Sequence, residues 1–178
     1  MRQLLLMRHA KSSSDDPNLP DHARPLNARG RRSAAAMRRA MRELALTPEI
    51  VLVSSARRAL QTLEALEPWD ETPLIEPMDT LYLATAPQML RILQSVAETA
   101  RSVMIIGHNP GIHDLAIVLA DARKTDADKI ASRVAERYPT GALAEFSVVR
   151  PWWQVGEGGA RLVRFVAPRD LPERAASS

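Results

Sequence analysis

Three short apolar runs constrain this chain more than any other feature of its sequence: Gln3–Met7, Ile50–Val53 and Val103–Ile106. Each is too short for a buried helix, each stops abruptly at polar residues, and none alternates polar with apolar. That is the pattern of strands covered on both faces, which belong to parallel sheets with helical crossovers. The stretches between them carry helical spacing. Ala28–Leu46 has a stripe of Ala35, Met37, Met41, Leu44 and Ala45, with Asn27 as N-cap. Ala56–Leu66 turns Ala59, Leu60 and Leu63 inward. Pro87–Thr99 aligns Leu90, Leu93 and Val96 behind a proline suited to the first turn. A helix from Pro110 to Leu119, capped by Asn109, follows the third run, and Thr125–Tyr138 reads as a polar surface helix. Leu74–Pro77, Leu143–Val149 and Leu162–Val166 add shorter strands, the last two with scope for antiparallel pairing. The expectation is an α/β fold, a three-layer α/β/α sandwich around a mainly parallel sheet.

A chain of 178 residues suits one domain with its own core, expected over 1–168, with 169–178 as a flexible tail. Hydrophobic residues at 46% and charged residues at 25% exclude disordered and collagen-like classes. The absence of cysteine excludes disulfide scaffolds, cysteine-held zinc and thiol nucleophiles. No apolar run approaches the roughly 20 residues of a membrane span. Leu4–Met7 is too short for the core of a signal peptide, so a cytoplasmic location without membrane association is expected. The 24 basic residues are interspersed with 21 acidic ones, which leaves no stripe for nucleic acid. All basic residues except Lys11, Lys124 and Lys129 are arginines. Arginine grips phosphate or carboxylate through paired N–H groups, although a genome rich in Arg and Ala codons produces the same surplus. The Trp152-Trp153 pair reads as two aromatics packed over a sheet edge rather than a stacking surface.

Ligands of such sheets bind beyond the carboxyl ends of the strands. His9, beside Arg8, follows the first apolar run. Arg57 and Arg58 follow the second, and His108 follows the third, just before a helix. One edge thus gathers two imidazoles, two or three guanidiniums and several helix N-termini, a set suited to a phosphoryl group. A single histidine at a strand end is ordinarily a plain polar residue, and His22 and His113 are read that way or as pocket rim. His108 and His113 are five residues apart, off the shared face of a helix, and no carboxylate accompanies them at ligand spacing. No metal or other cofactor is expected.

Five segments in order carry a resemblance. Arg8-His9-Ala10 is similar to the Arg-His-Gly/Ala signature of the histidine phosphatase, or phosphoglycerate mutase-like, superfamily. Asp21-His22-Ala23-Arg24-Pro25-Leu26-Asn27-Ala28-Arg29-Gly30 resembles a D-x-x-R-P-L-N-x-R-G segment of its SixA-type phosphohistidine phosphatases. Ser54, Arg58, Ala59, Gln61 and Thr62 fit an S-x-x-x-R-A-x-Q-T helix start. Gly107-His108-Asn109-Pro110 and Pro139-Thr140-Gly141-Ala142 match two later blocks. The resemblance implies a phosphoglycerate mutase-like fold, His9 as the nucleophile that becomes phosphorylated, and Arg8, Arg58 and His108 around the phosphate. Arg24 would be a further phosphate-binding residue. Helical period does not separate Arg57 from Arg58; the motif register favours Arg58.

A neutral imidazole can attack phosphorus and leave a phosphoramidate that water cleaves. Guanidiniums offset the charge on the equatorial oxygens, the task magnesium often performs. Many superfamily members carry an acidic proton donor after the third strand. Here Leu81-Tyr82-Leu83-Ala84 has none; Asp79 is the nearest carboxylate, and Asp21 is the alternative donor. An alkoxide leaving group needs a general acid more than an imidazole does. The missing acid and the absence of a long lid insertion favour phosphohistidine, presented by a protein partner. The alternatives are a small-molecule phosphomonoesterase and a phosphate- or phosphoprotein-binding module without turnover.

Overall fold

The structure is a computed structural model that describes residues 1–120 and 129–173. Its strands are β1 Arg2–Arg8, β2 Ile50–Ser54, β3 Leu74–Met78, β4 Ser102–Gly107, β5 Leu143–Val148 and β6 Arg161–Val166. Its helices are α1 Ala28–Glu43, α2 Arg57–Leu66, α3 Ala86–Gln94, α4 Gly111–Ala120 and α5 Lys129–Glu136. All six strands lie in one sheet in the order β3-β2-β4-β1-β5-β6. β1, β2, β3 and β4 pair in parallel, and β5 runs antiparallel to both β1 and β6.

The pleat of β1 shows why its apolar run is continuous. Leu4 and Leu6 enter one core with Ile112, Leu115, Leu119 and Phe146; Leu5 and Met7 enter another with Met37, Met41, Leu63 and Ile106. Successive side chains point to opposite faces, so a strand covered twice must be apolar at every position. The first core packs α3, α4 and α5, the second α1 and α2. This is the expected three-layer α/β/α sandwich, with mixed pairing only where β5 joins.

The elements differ from expectation mainly at their ends. Asn27 caps α1, its side chain accepting from Gly30 N at 2.8 Å. That helix stops at Glu43 rather than Leu46, because Ala45 turns to φ 54° and Leu46 tucks in. α3 starts one residue earlier than expected, behind a Thr85–Gln88 capping box, and stops at Gln94 rather than Thr99. Beyond it Glu98 is drawn to Arg2 and to the backbone N–H groups of Trp152 and Trp153. Asn109 does not cap α4. Its amide donates to Tyr138 O at 2.9 Å, and the helix begins at Gly111. Of the polar helix expected over Thr125–Tyr138, residues 125–128 lie outside the described residues; α5 ends at Glu136, short of Tyr138, and buries Ala131 and Val134.

Trp152 is fully buried and donates from its indole to Ala100 O at 2.8 Å, whereas Trp153 is exposed. Of the closing segment, Pro168–Asp170 forms a 3-10 turn and Leu171 packs against the second core; residues 174–178 lie outside the described residues. Among the described residues no helix is long and apolar enough to cross a membrane.

Candidate active site

The register of the sheet brings the two histidines together. Arg8 pairs with Gly107 across β1 and β4, so His9 and His108 leave neighbouring strands at the same level. Their rings lie 5.1 Å apart, and both residues are buried. Arg58 arrives from the first turn of α2, just beyond β2, and is also buried, whereas Arg57 is exposed. Tyr82 follows the 3-10 turn after β3. All four parallel strands thus contribute at their carboxyl ends.

The hydrogen bonds fix the state of each ring. His9 Nδ1 lies 2.7 Å from Ala10 O, an acceptor only, so Nδ1 carries the proton. The Nε2 lone pair is left to accept from Arg58 Nε at 3.3 Å. Burial pushes the His9 imidazole down to about 3, partly opposed by the Ala10 bond, so the ring is neutral across the physiological range. His108 has the opposite tautomer. Its Nδ1 faces Arg58 Nη2 at 3.3 Å, and its Nε2–H donates to Ser54 Oγ at 2.7 Å. Burial, then the Arg58 charge, lowers it to about 4.

Arg58 has a second set of contacts. Nη1 donates to Asp21 O at 2.7 Å and Nη2 to Asp21 Oδ2 at 3.0 Å. The same carboxylate accepts from Arg24 Nη1 at 2.9 Å and from the Tyr82 hydroxyl. The Tyr82 bond does most to hold Asp21 below the usual carboxylate range; partial burial opposes it, and Arg58 and Arg24 add to it. Asp21 is therefore an anion at rest. Arg8 donates to Tyr138 O at 3.1 Å and keeps a buried Nε with no hydrogen-bond partner. Burial, then the charges of Arg137 and Arg58, lowers its pKa. Arg24 also donates to Ser12 Oγ and Ser13 O, tying the loop after β1 to the segment around Asp21.

The remaining motif residues brace this arrangement. Thr62 Oγ1 accepts from Ala10 N at 3.0 Å and Gln61 Oε1 from Leu26 N at 2.8 Å, so one face of α2 holds the chain on either side of the loop. Gly30 lets α1 touch that loop: a Cβ there would stand 2.1 Å from Lys11 O. Gly141 N donates to the carbonyls of Arg8 and His9, both at 3.0 Å. Tyr138, wholly buried, binds Leu6 O through its hydroxyl and receives Arg8 on its carbonyl.

The structure thus brings His9, Arg58, His108, Asp21 and Arg24 into one contact network, whereas Arg8, bonded to Tyr138 O, acts on His9 and His108 only through its charge. His22 is at the rim, 3.0 Å from Ser55 Oγ and edge-on to Tyr82. His113 is elsewhere, bonded to Val134 O. The side chain of Asp79 makes none of these contacts. Sequence reasoning missed Tyr82, Ser54 and Thr62 as contributors. Ser54 and Thr62 belong to a matched motif, while Tyr82 stands in a segment where the resemblance points to a carboxylate. Among the described residues no group of three or more histidines and carboxylates is placed to hold a metal ion.

A family model for the histidine phosphatase superfamily, branch 1, matches residues 4–78, the span from β1 to β3. An uncharacterised protein of Mycobacterium tuberculosis is 36% identical over 166 residues, which cover 92% of this chain and 100% of that protein. The chain belongs to the histidine phosphatase superfamily. Within it the SixA-type members are close in structure. SixA from Nakamurella multipartitia is 28% identical, with a TM-score of 0.82 over 94% of this chain and 96% of its own. SixA from Agrobacterium tumefaciens is 25% identical, with a TM-score of 0.80 over 94% and 98%. The protein is accordingly a SixA-type histidine phosphatase, a hydrolase of phosphoryl bonds on the phosphoglycerate mutase-like fold.

Proposed function

We propose that this phosphatase hydrolyses phosphohistidine, and that its phosphoryl group passes through His9 Nε2. The observation that carries the reading is the locked His9 tautomer, with a neutral Nε2 lone pair facing the Arg58 guanidinium and the His108 ring. In the first step that lone pair forms an N–P bond while the P–N bond to the substrate imidazole breaks, its electron pair returning to the leaving ring. In the second step water attacks phosphorus, the P–Nε2 bond breaks, and inorganic phosphate departs with His9 restored. Arg8, Arg58 and His108 offset charge on the equatorial oxygens throughout. Arg24 adds positive charge at the edge of the pocket.

The choice of phosphohistidine rests on the leaving group. Among the described residues the one carboxylate that touches this network, Asp21, is held ionised and so brings no proton to a departing alkoxide. An imidazole already protonated on its other nitrogen leaves as a neutral ring without such help. The SixA relatives are named for phosphohistidine, in line with this reading. Comparing turnover of a phosphohistidine peptide, a sugar phosphate and p-nitrophenyl phosphate, each with and without chelator, tests it. The peptide should be the best substrate and EDTA should change nothing. Preference for the sugar phosphate would reverse the assignment, as would activity lost to EDTA and restored by magnesium.

Arg58 should clamp the phosphoryl oxygens through two N–H donors, a geometry lysine lacks. Arg58→Lys is expected to weaken inorganic phosphate inhibition roughly tenfold or more, since charge-assisted paired bonds are lost although charge is kept. Arg57→Ala should fall within about twofold of wild type, because that side chain is exposed. The reverse ranking would shift the phosphate clamp to Arg57.

A further inference from the structure

We infer that Asp21 and Tyr82 form the subsite for the leaving group, and that it takes an N-phosphorylated imidazole protonated on its second nitrogen. The inference deepens the phosphohistidine reading and rests on it. A phosphoimidazole leaves as a neutral ring only when its other nitrogen already carries a proton. Such a substrate is a dipole, with a negative phosphoryl group on one side and a positive ring on the other.

The site has the complementary polarity. His9, His108 and the Nε edge of Arg58 face the phosphoryl side. Asp21 lies on the other edge of the same guanidinium, with 45% of its side chain exposed. A carboxylate has about four lone-pair positions. Arg24, Arg58 and Tyr82 donate to three, which leaves one for an incoming N–H. The Tyr82 ring walls the same mouth, edge-on to His108 at 5.5 Å and to His22 at 4.8 Å. An aromatic ring beside a carboxylate is a good setting for a flat cation. Among the described residues, the charged and titratable groups that face Asp21 are Arg24 from its own segment, Arg58 from α2 and Tyr82 from the turn after β3, with His22 beyond Tyr82 and His108 close enough to feel its charge.

The same carboxylate discriminates against esters. An alcohol or phenol leaves with growing negative charge on oxygen, next to which a fixed anion is unfavourable, and it offers Asp21 no N–H. Asp21 thus selects the phosphorylated imidazolium without supplying a proton, and the proton needed for departure travels in with the substrate.

Asp21→Asn keeps the shape and one acceptor oxygen, which can still serve Arg58, but it removes the charge and turns an N–H donor toward Arg24. It is expected to raise KM for a phosphohistidine peptide about tenfold to a hundredfold, the scale of one charged hydrogen bond, with a smaller change in kcat. Turnover of p-nitrophenyl phosphate should fall by a clearly smaller factor than turnover of the peptide, because only the part of the loss that acts through Arg58 is common to both substrates. Tyr82→Ala should raise the same KM several-fold with the same selectivity. Equal losses on both substrates with weaker phosphate inhibition would make Asp21 a positioning residue for Arg58 and overturn the subsite. No loss on either substrate would overturn it too. Wild-type protein that cleaves p-nitrophenyl phosphate but no phosphohistidine peptide would bring down the phosphohistidine reading and the subsite with it, an outcome distinct from the other two.

Discussion

His9→Ala should lose at least about a thousandfold in turnover, the scale expected when a covalent nucleophile is removed, yet still bind phosphate. Among the described residues the neighbouring hydroxyls offer no substitute. Ser54 Oγ faces His108 Nε2 and Ser12 Oγ is engaged by Arg24. His108 carries its proton on Nε2, toward Ser54, and its Nδ1 faces Arg58. Arg8, Arg58 and His108 remain in the variant, so vanadate or phosphate should bind with affinity near that of wild type. Rapid-quench labelling of the wild-type protein, followed by peptide mapping, checks the role directly. The label should sit on His9 and behave as a phosphoramidate, lost in acid and kept in base. A label on serine, or full activity in His9→Ala, would refute the covalent step. A wild-type protein that binds phosphate, labels nowhere and turns over no substrate would be a binding module.

The features legible in the sequence are those fixed by local pattern. Runs such as Leu4–Met7 announce a strand covered on both sides, and two such strands pairing in parallel put His9 and His108 at one edge. Asn27 was readable as a cap because a side chain that accepts from a backbone N–H three residues on is a local device. Asn109 has the same residue type in the same apparent position, but a distant group, the Tyr138 carbonyl 29 residues away, competes for its amide. The acceptor that sets the His9 tautomer is the carbonyl of the next residue, and every residue has one, so nothing in the sequence marked it. Arg57 and Arg58 were inseparable by helical period; the first turn of α2 resolves them, since one step of the helix turns Arg57 to solvent and Arg58 to the histidines. Nothing local marks Tyr82, because its partner Asp21 is 61 residues away and only the closure of the β1–α1 loop over the sheet edge joins them.

The second large effect is on stability rather than chemistry. Gly111→Ala is expected to destabilise the fold by roughly 2–4 kcal/mol, at or above the usual range for a forced overlap in a packed region. A Cβ at Gly111 would lie 1.9 Å from Ala84 O and 2.8 Å from Met89 Cε. The methionine can swing aside, but the carbonyl is backbone, so either the start of α4 or the segment Tyr82–Ala84 must move. Neither yields easily. Ile112 N is bonded to His108 O at 2.8 Å, and Leu83 already sits at φ 50°. For a chain of 178 residues, a loss of this size lowers Tm by about 5–15 °C. Gly156→Ala is the matched control: nothing lies within 4 Å of its added carbon, and its φ is compatible with alanine, so Tm should hold or rise slightly. Thermal unfolding of both variants beside wild type measures the difference. Where the segment Tyr82–Ala84 is the side that yields, Gly111→Ala should also raise KM for a phosphohistidine peptide at temperatures where the variant is still folded. A Gly111→Ala protein that melts with wild type would mean that α4 and the Tyr82 segment are not in the contact that forms the mouth of the site.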